Sequence, residues 1–364
     1  MRQVSQIVRD ACGRRFTGAV LRVEQGGRAV WEEAFGAVDH TTGAHRVEVT
    51  TRFDLASLTK PFVAAAVLRA VAEGILDLDA PLVEIIPEWG SCHPERSERS
   101  ERSRSATRQH AEITLRMLLA HTSGMQSGAD YRVLLGDDVE RFALEQELNA
   151  APGERVIYSD LGFIALGVIL ARLYGCSLAA LMARTCAALG TEATDFRPRA
   201  REVDSIPATE EDGWRGRVRG TVHDEKAHLM NGVAGHAGLF GTARDVALLA
   251  ETFLGVVCGR AGSDLPARLA REAITEQGSD PILRRGLGWA LKTTDENSCG
   301  VLMSHSTFGH TGFTGTSVWS DPARDVTVVL LTNAVYYGRN DLRDVRAAVC
   351  DAVVRELDSC ARSA

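Results

Sequence analysis

Apolar residues in the opening segment MRQVSQIVRDACGRRF fall at Val4, Ile7, Val8 and Ala11. That spacing predicts an amphipathic helix. The period then changes: TGAVLRVEQGGRAVWEEAFG reads as two strands folded about the turn Gln25-Gly26-Gly27. A long helix is expected to begin just after Ser57, in SLTKPFVAAAVLRAVAEGILDLDAPL. Pro61 lies in its first turn, where a missing N–H costs little, and Gly74 marks its end. Shorter helices are expected at EITLRMLLAHTSGM, with Thr114 as N-cap, at DVERFALEQELNA and at SLAALMARTCAALG. DLGFIALGVILARLYG is nearly apolar all round and predicts a buried helix. In GTARDVALLAETFLG, Thr242 and Asp245 resemble a capping box with Asp in the Glu/Gln place.

The last third alternates. RRGLGWALKT, GTSVWSDP and DVTVVLLTN read as antiparallel strands with a turn near Asp321-Pro322, and NDLRDVRAAVCDAVVREL as a closing helix. A hairpin first, helices between, and strands plus a helix last predict an α+β fold in which the two chain ends share one antiparallel sheet. The sheet lobe is expected to span about 1–56 and 281–364 and a mostly helical lobe about 57–280, with a groove between them and the whole chain forming a single catalytic domain. One stretch stands apart: Glu-Arg-Ser occurs three times running within residues 92–110, with no apolar residue to offset the entropy of ordering, and reads as a disordered insertion.

Composition changes the picture mainly by exclusion. A net charge of −7 with no basic stripe gives no electrostatic case for nucleic acid or an anionic membrane. No run approaches 18 apolar residues, so no membrane span is expected. The N-terminus has no signal-peptide pattern, and the eight cysteines include no C-x-x-C pair. They are therefore read as free thiols in a cytoplasmic, monomeric protein.

Ser57-Leu58-Thr59-Lys60 is the first stretch able to do chemistry. At a helix start, residues i and i+3 share a face, so the hydroxyl and the amine can touch. Serine is a poor nucleophile until a base takes its proton, and lysine is that base only when burial or neighbouring cations lower its pKa. The helix start also offers N–H groups to a developing oxyanion. Alone, S-x-x-K recurs by chance, and a solvated lysine beside a helix-start serine is the simpler account. It is not alone: Tyr158-Ser159-Asp160 precedes the buried helix and His310-Thr311-Gly312 lies on a predicted strand.

With these three motifs in this order, the chain resembles the penicillin-recognising serine hydrolases related to class C β-lactamases. FDLASLTK, LLAHTSG, GLGWAL and DVTVVLLTN look like family framework, over roughly residues 14 to 355 without the insertion. The resemblance implies a β-lactamase/transpeptidase-like fold and a set of roles. Ser57 would attack an acyl carbon, Lys60 would accept its proton, and Tyr158 would relay protons to the leaving group. The backbone N–H groups of Ser57 and Phe313 would form the oxyanion hole. Asp160 would bond Lys60 or a substrate amide, and His310, with Thr311 and Gly312 on its strand, would complete the proton network. For Asp160, the N-cap of the following helix is an alternative role. GTVHDEKAHLMNGVAGHAGLF together with GHTGFTGTSVWSDP resembles the subgroup of cell-wall-recycling amidases and penicillin-binding-protein-4B-like hydrolases. That subgroup makes His236 a candidate substrate contact, or else a loop histidine bonded to backbone. His223 and His228 are five apart, not the four of H-E-x-x-H, so no metal is expected, and no other cofactor is.

Two departures from the family pattern shift the expected substrate. Asp160 stands where Asn is commoner, which favours a charged Lys60 or a cationic substrate group. His310 replaces a lysine that would hold a substrate carboxylate, and histidine is mostly neutral near pH 7. The histidine points away from a β-lactamase or D,D-carboxypeptidase, with weak β-lactam hydrolysis, and toward a serine esterase, amidase or aminopeptidase acting on a small ester, amide or muropeptide. Arg284 or Arg285 could supply the missing cation, but the sequence does not place either in the groove. The alternative from another class is a catalytically silent sensor that keeps the fold.

Overall fold

The fold was analysed in a computed structural model. It describes residues 1–86, 89, 110–135, 138–260, 265–278, 280, 283–293 and 297–363. Apart from His110, the Glu-Arg-Ser insertion lies outside the described residues.

Helix α1 (Arg2–Ala11) buries Val4, Val8 and Ala11, as its spacing predicts. Strands β1 (Gly18–Gln25) and β2 (Arg28–Gly36) form the expected hairpin. Gly26 and Gly27 both turn with positive φ, 61° and 72°, which fits the right-handed twist of the strands. Near the nucleophile motif run the short β3 (Phe53–Asp54) and α2 (Thr59–Ala72). The helical region continues with α3 (Leu115–Leu119), α4 (Val139–Glu145), α5 (Asp160–Leu173) and α6 (Leu178–Ala188). Then come β4 (Asp195–Phe196), the small hairpin β5 (Glu210–Asp212) and β6 (Gly216–Val218), α7 (Glu225–Leu229), β7 (Leu239–Gly241), α8 (Ala243–Val257) and α9 (Ala267–Ala273). The chain closes with β8 (Ala290–Leu291), β9 (Phe308–Thr311), β10 (Ser317–Asp321), β11 (Val326–Thr332) and α10 (Arg343–Ser363).

The six-stranded sheet has the order β2-β1-β11-β10-β9-β8. Its central pairing joins the chain ends, from Ala19 opposite Thr332 to Gln25 opposite Val326. Both faces are covered, so β11 is buried throughout and β1 runs apolar from Ala19 to Leu21. Leu21, Val23, Val328 and Leu330 face α1 and α10, while Val20, Val329 and Leu331 join the core shared with α8. Helix α8 thus packs on the sheet, although it falls in the span expected in the helical lobe.

Helix α5 is the axis of the other lobe, buried on all sides and in contact with α2, α3, α4 and α6. Its N-cap is Ser159, whose hydroxyl accepts from the Gly162 N–H at 3.0 Å. Asp160 is therefore the first residue inside the helix, not its cap. The capping box at α8 is half formed. Thr242 accepts from the Asp245 N–H, but the Asp245 carboxylate turns away to the Ala193 N–H and the Thr194 hydroxyl.

A second sheet, β3-β7-β4, ties the two lobes together beside Ser57. Two chain segments pack with no room to spare, one against α5 and one against the turn before Ser57. A Cβ on Gly235 would lie 1.9 Å from the Phe163 carbonyl oxygen. A Cβ on Gly312 would lie 2.1 Å from Thr316 Oγ1 and 2.7 Å from the Leu55 carbonyl oxygen. Gly312→Ala should therefore force a backbone shift and cost about 1–3 kcal/mol, the range for overpacking. Urea unfolding measures this, and a wild-type midpoint would show that the β9–β10 turn is not so tightly seated.

Candidate active site

The turn that carries Ser57 is built from a strained residue outward. Ala56, one residue before Ser57, has φ of 47°, a left-handed conformation that an alanine holds only when its surroundings over-determine it. They do. The buried Asp54 carboxylate accepts from the Ala56 N–H at 2.8 Å and from the His223 N–H at 2.6 Å. The hydroxyls of Thr314 and Thr316 donate to the Asp54 and Leu55 carbonyls at 2.8 and 3.1 Å. Buried Arg346 of α10 donates to the Gly312 and Thr316 carbonyls, fixing the β9–β10 turn that carries Phe313. The backbone N–H groups of Ser57 and Phe313 donate to nothing among the described residues.

Ser57 is half-buried and Lys60 wholly buried. Lys60 Nζ donates to Ser57 Oγ at 3.0 Å, to Asp160 Oδ1 at 2.8 Å and to the His236 carbonyl at 3.2 Å. Three acceptors match the three N–H bonds of an ammonium. Burial opposes that charge, but Asp160 and Tyr158 outweigh it, and the Lys60 pKa lies above its ordinary value. This corrects the expectation that a base at this position has a lowered pKa. The Asp160 carboxylate, pushed up by burial, is pulled below its usual range by Lys60, His236 and Lys226.

Tyr158 packs among the charged groups and the histidines of the site. Lys60 Nζ lies 4.8 Å and the Arg285 guanidinium carbon 5.2 Å from its ring centroid. The His310 ring is 6.1 Å away, which brings together the three motifs that lie far apart in the chain. His310 Nδ1 donates to the Thr311 carbonyl at 2.9 Å, which fixes the tautomer and leaves Nε2 as acceptor. Strand β8 pairs only with Phe308 and Gly309, so the His310-Thr311 end of β9 is a free edge.

Several residues escaped the sequence reading. His121, in LLAHTSG, packs 4.5 Å from the Tyr158 ring, accepts the Ser159 N–H at its Nδ1 and accepts the Ile157 N–H at its carbonyl, so it holds Tyr158 from both sides. Arg285, unplaced by sequence, lies over Tyr158 and makes no ion pair among the described residues, whereas Arg284 is spent on Glu276 and backbone carbonyls. Lys226 and Asp224 extend the charge network beyond Asp160.

His236 is corrected. It is buried, its carbonyl holds Lys60, and its Nε2 donates to Asp224 Oδ1 at 2.7 Å, so it backs the site instead of facing substrate. His223 bonds Glu210 and stacks on the exposed Phe313, while His228 packs against Trp214, so the two do not converge on a metal. Donor atoms of Asp160, Asp224 and His236 do lie within 4.8 Å of one another. The ammonium groups of Lys60 and Lys226 already neutralise those carboxylates, so the set does not suit a divalent ion. Beyond Lys226 opens a cleft of about 800 Å³ lined by Glu210, Asp212, Glu225, Arg339 and the stacked pair Tyr131 and Trp214.

This geometry has a counterpart in the family comparison: the β-lactamase family model matches residues 4–351. The chain belongs to the β-lactamase family. Among its relatives, the N-acetylmuramyl-L-alanine amidase of Bacillus subtilis (strain 168) is 28% identical over 92% of this chain and 80% of the relative. Esterase EstB of Burkholderia gladioli is 32% identical over 89% of this chain and 88% of the relative. The hydrolase EstCE1, a solved structure described as having promiscuous acyltransferase activity, superposes with a TM-score of 0.75 at 22% identity, over 97% of this chain and 98% of that one. The protein is thus a hydrolase of this family with the expected β-lactamase/transpeptidase-like fold. Among its described residues no single helix is long and apolar enough to cross a membrane.

Two buried histidines of this family member make its stability pH-dependent. Burial first, then Arg285 and Lys60, hold His121 and His310 well below the ordinary value of 6.5. The unfolded chain therefore takes up protons below pH 6.5 that the folded protein cannot, so stability is full above that pH and falls as pH drops through it. Each histidine should cost about 1.4 kcal/mol per pH unit in that window. Urea unfolding at pH 7.5 and 5.5 should show this loss, roughly halved in His310→Gln. Equal losses in both proteins would contradict it.

Proposed function

We propose that this protein is a serine hydrolase acting through an acyl-enzyme on a small ester or amide, with peptidoglycan-derived muropeptides among its substrates. The observation that carries the reading is the 3.0 Å contact between Lys60 Nζ and Ser57 Oγ beside two undirected N–H groups. At rest the Lys60 ammonium donates to Ser57. When Lys60 has given up a proton, its lone pair takes the Ser57 hydroxyl proton as Oγ attacks the acyl carbon. The N–H groups of Ser57 and Phe313 receive the developing oxyanion. Tyr158, beside Lys60, passes the proton to the departing alcohol or amine, and water then clears the acyl group by the reverse path. Asp160 holds Lys60, His310 with Thr311 and Gly312 forms the wall opposite Tyr158, and the cleft beyond Lys226 receives the larger part of the substrate. The relatives named amidase and esterase support both substrate chemistries.

A fluorophosphonate probe read by intact mass tests the reading. One adduct is expected on the wild type and none on Ser57→Ala, with a p-nitrophenyl ester turned over faster than nitrocefin. Equal labelling of both proteins would overturn the hydrolase reading, and an ester-derived acyl adduct that never clears would point to a sensor instead.

A further inference from the structure

We propose that Lys226 is a positioning residue that sets the proton affinity of Lys60 by sharing the carboxylate of Asp160. The inference rests on the hydrolase reading above, in which Lys60 is the base, and it concerns what tunes that base.

The groups form a closed ring. Lys60 Nζ bonds Asp160 Oδ1 at 2.8 Å, and Asp160 Oδ2 faces Lys226 Nζ at 3.3 Å. Lys226 Nζ lies 3.3 Å from Asp224 Oδ2, and Asp224 Oδ1 accepts from His236 Nε2 at 2.7 Å. The His236 carbonyl then returns to Lys60 Nζ at 3.2 Å. Helix α7 builds the far side: Asp224 is its N-cap, accepting the Ala227 N–H, so Lys226 in its first turn is aimed back at Asp160. Gly128 lies beside the contact, where a Cβ would sit 3.9 Å from both Asp160 Oδ2 and Lys226 Nζ.

Composition makes the choice of lysine informative. Of 41 lysines and arginines only three are lysine, at 60, 226 and 292. All three are buried, and Lys292 is absorbed by the Val301 and Met303 carbonyls. A chain that uses arginine almost everywhere keeps a compact ammonium where one charge must fit between two carboxylates.

The electrostatics follow from the ring. With Lys226 absent, the whole Asp160 charge would act on Lys60 and hold its proton more tightly. With Lys226 present, that charge is divided and a second cation stands behind it, so Lys60 releases its proton more readily. The other groups around Lys60 are Tyr158, His121 and His310, with Arg285 beyond Tyr158, and none of them touches Lys226. One neighbouring charge at this range moves a pKa by about one unit or more.

Removing either partner of the Asp160–Lys226 contact should therefore act in opposite directions. The rate of Ser57 labelling by a fluorophosphonate, followed against pH, should shift acidward in Asp160→Asn and alkaline in Lys226→Met. Below the limb, Lys226→Met should react about tenfold more slowly than wild type at the same pH. Lys226→Arg, which restores the charge, should return most of that loss. Selective 13C labelling at lysine Cε adds a readout that needs no catalysis, since only three signals arise. The Lys60 signal should titrate at lower pH in Asp160→Asn and stay in its ammonium position to higher pH in Lys226→Met. Shifts in the same direction, or slower labelling by Lys226→Met with an undisplaced profile, would overturn the proposal. If wild type forms no adduct, the hydrolase reading fails, and the lysine titration still decides whether Lys226 tunes Lys60.

Discussion

The structure around the site depends on one buried charge. Lys60 has no exposed side-chain surface, and an ammonium removed from water is tolerable only with good partners on every N–H. Its three partners come from three parts of the chain: Ser57 one turn back, Asp160 at the start of α5, and the His236 carbonyl from the loop before β7. Breaking such a pair from one side typically costs about 3–5 kcal/mol, because the remaining charge is stranded. The fold must therefore hold α2, α5 and the loop at residues 235–238 in register. The absence of a side chain at Gly235, where a Cβ would meet the Phe163 carbonyl, lets that loop approach α5 closely enough.

A second constraint acts on the other side of Ser57. Ala56 is held left-handed by bonds that arrive from β3, from the loop at His223 and from the β9–β10 turn. Arg346 locks that turn from α10, and burial lowers its own pKa to about 10. Contacts from β3, from the β9–β10 turn and from α10 thus converge beside Ser57. His310 plays a different part from a permanent cation: burial keeps it neutral, and the cation nearest the Tyr158 ring on that side comes from Arg285 instead.

Much of this was legible in the chain. Apolar and β-branched runs bounded by turn residues marked β1 and β11, and the all-apolar run marked α5, because burial on both faces of a sheet or all around a helix leaves a direct trace in composition. S-x-x-K, Tyr158 and His310 stood out together, through their order along the chain and the family resemblance that order carries, since S-x-x-K alone recurs by chance. Less legible was the strand at RRGLGWALKT, of which only Ala290–Leu291 forms β8, since the neighbouring backbone is diverted by Gly286 and Gly288 against Ala273 and Ala64. The cap of α5 was displaced by one residue, because serine and aspartate are both good caps and only the carboxylate was drawn off to lysine.

The chain's own patterns give the set of parts: which segments bury, roughly where helices run, and which three motifs bring candidate groups to the site. Those follow from local periodicity and residue chemistry. What only the tertiary structure decided is how the groups act on one another. That Lys60 is held charged, that His236 faces inward, that His121 braces Tyr158 and that Lys226 reaches Asp160 all depend on distances between residues up to 176 positions apart. Hydrogen bonds and ion pairs form only when their partners come within about 3–4 Å. No local pattern encodes such a distance, and so the proton chemistry of this site exists only in the folded chain.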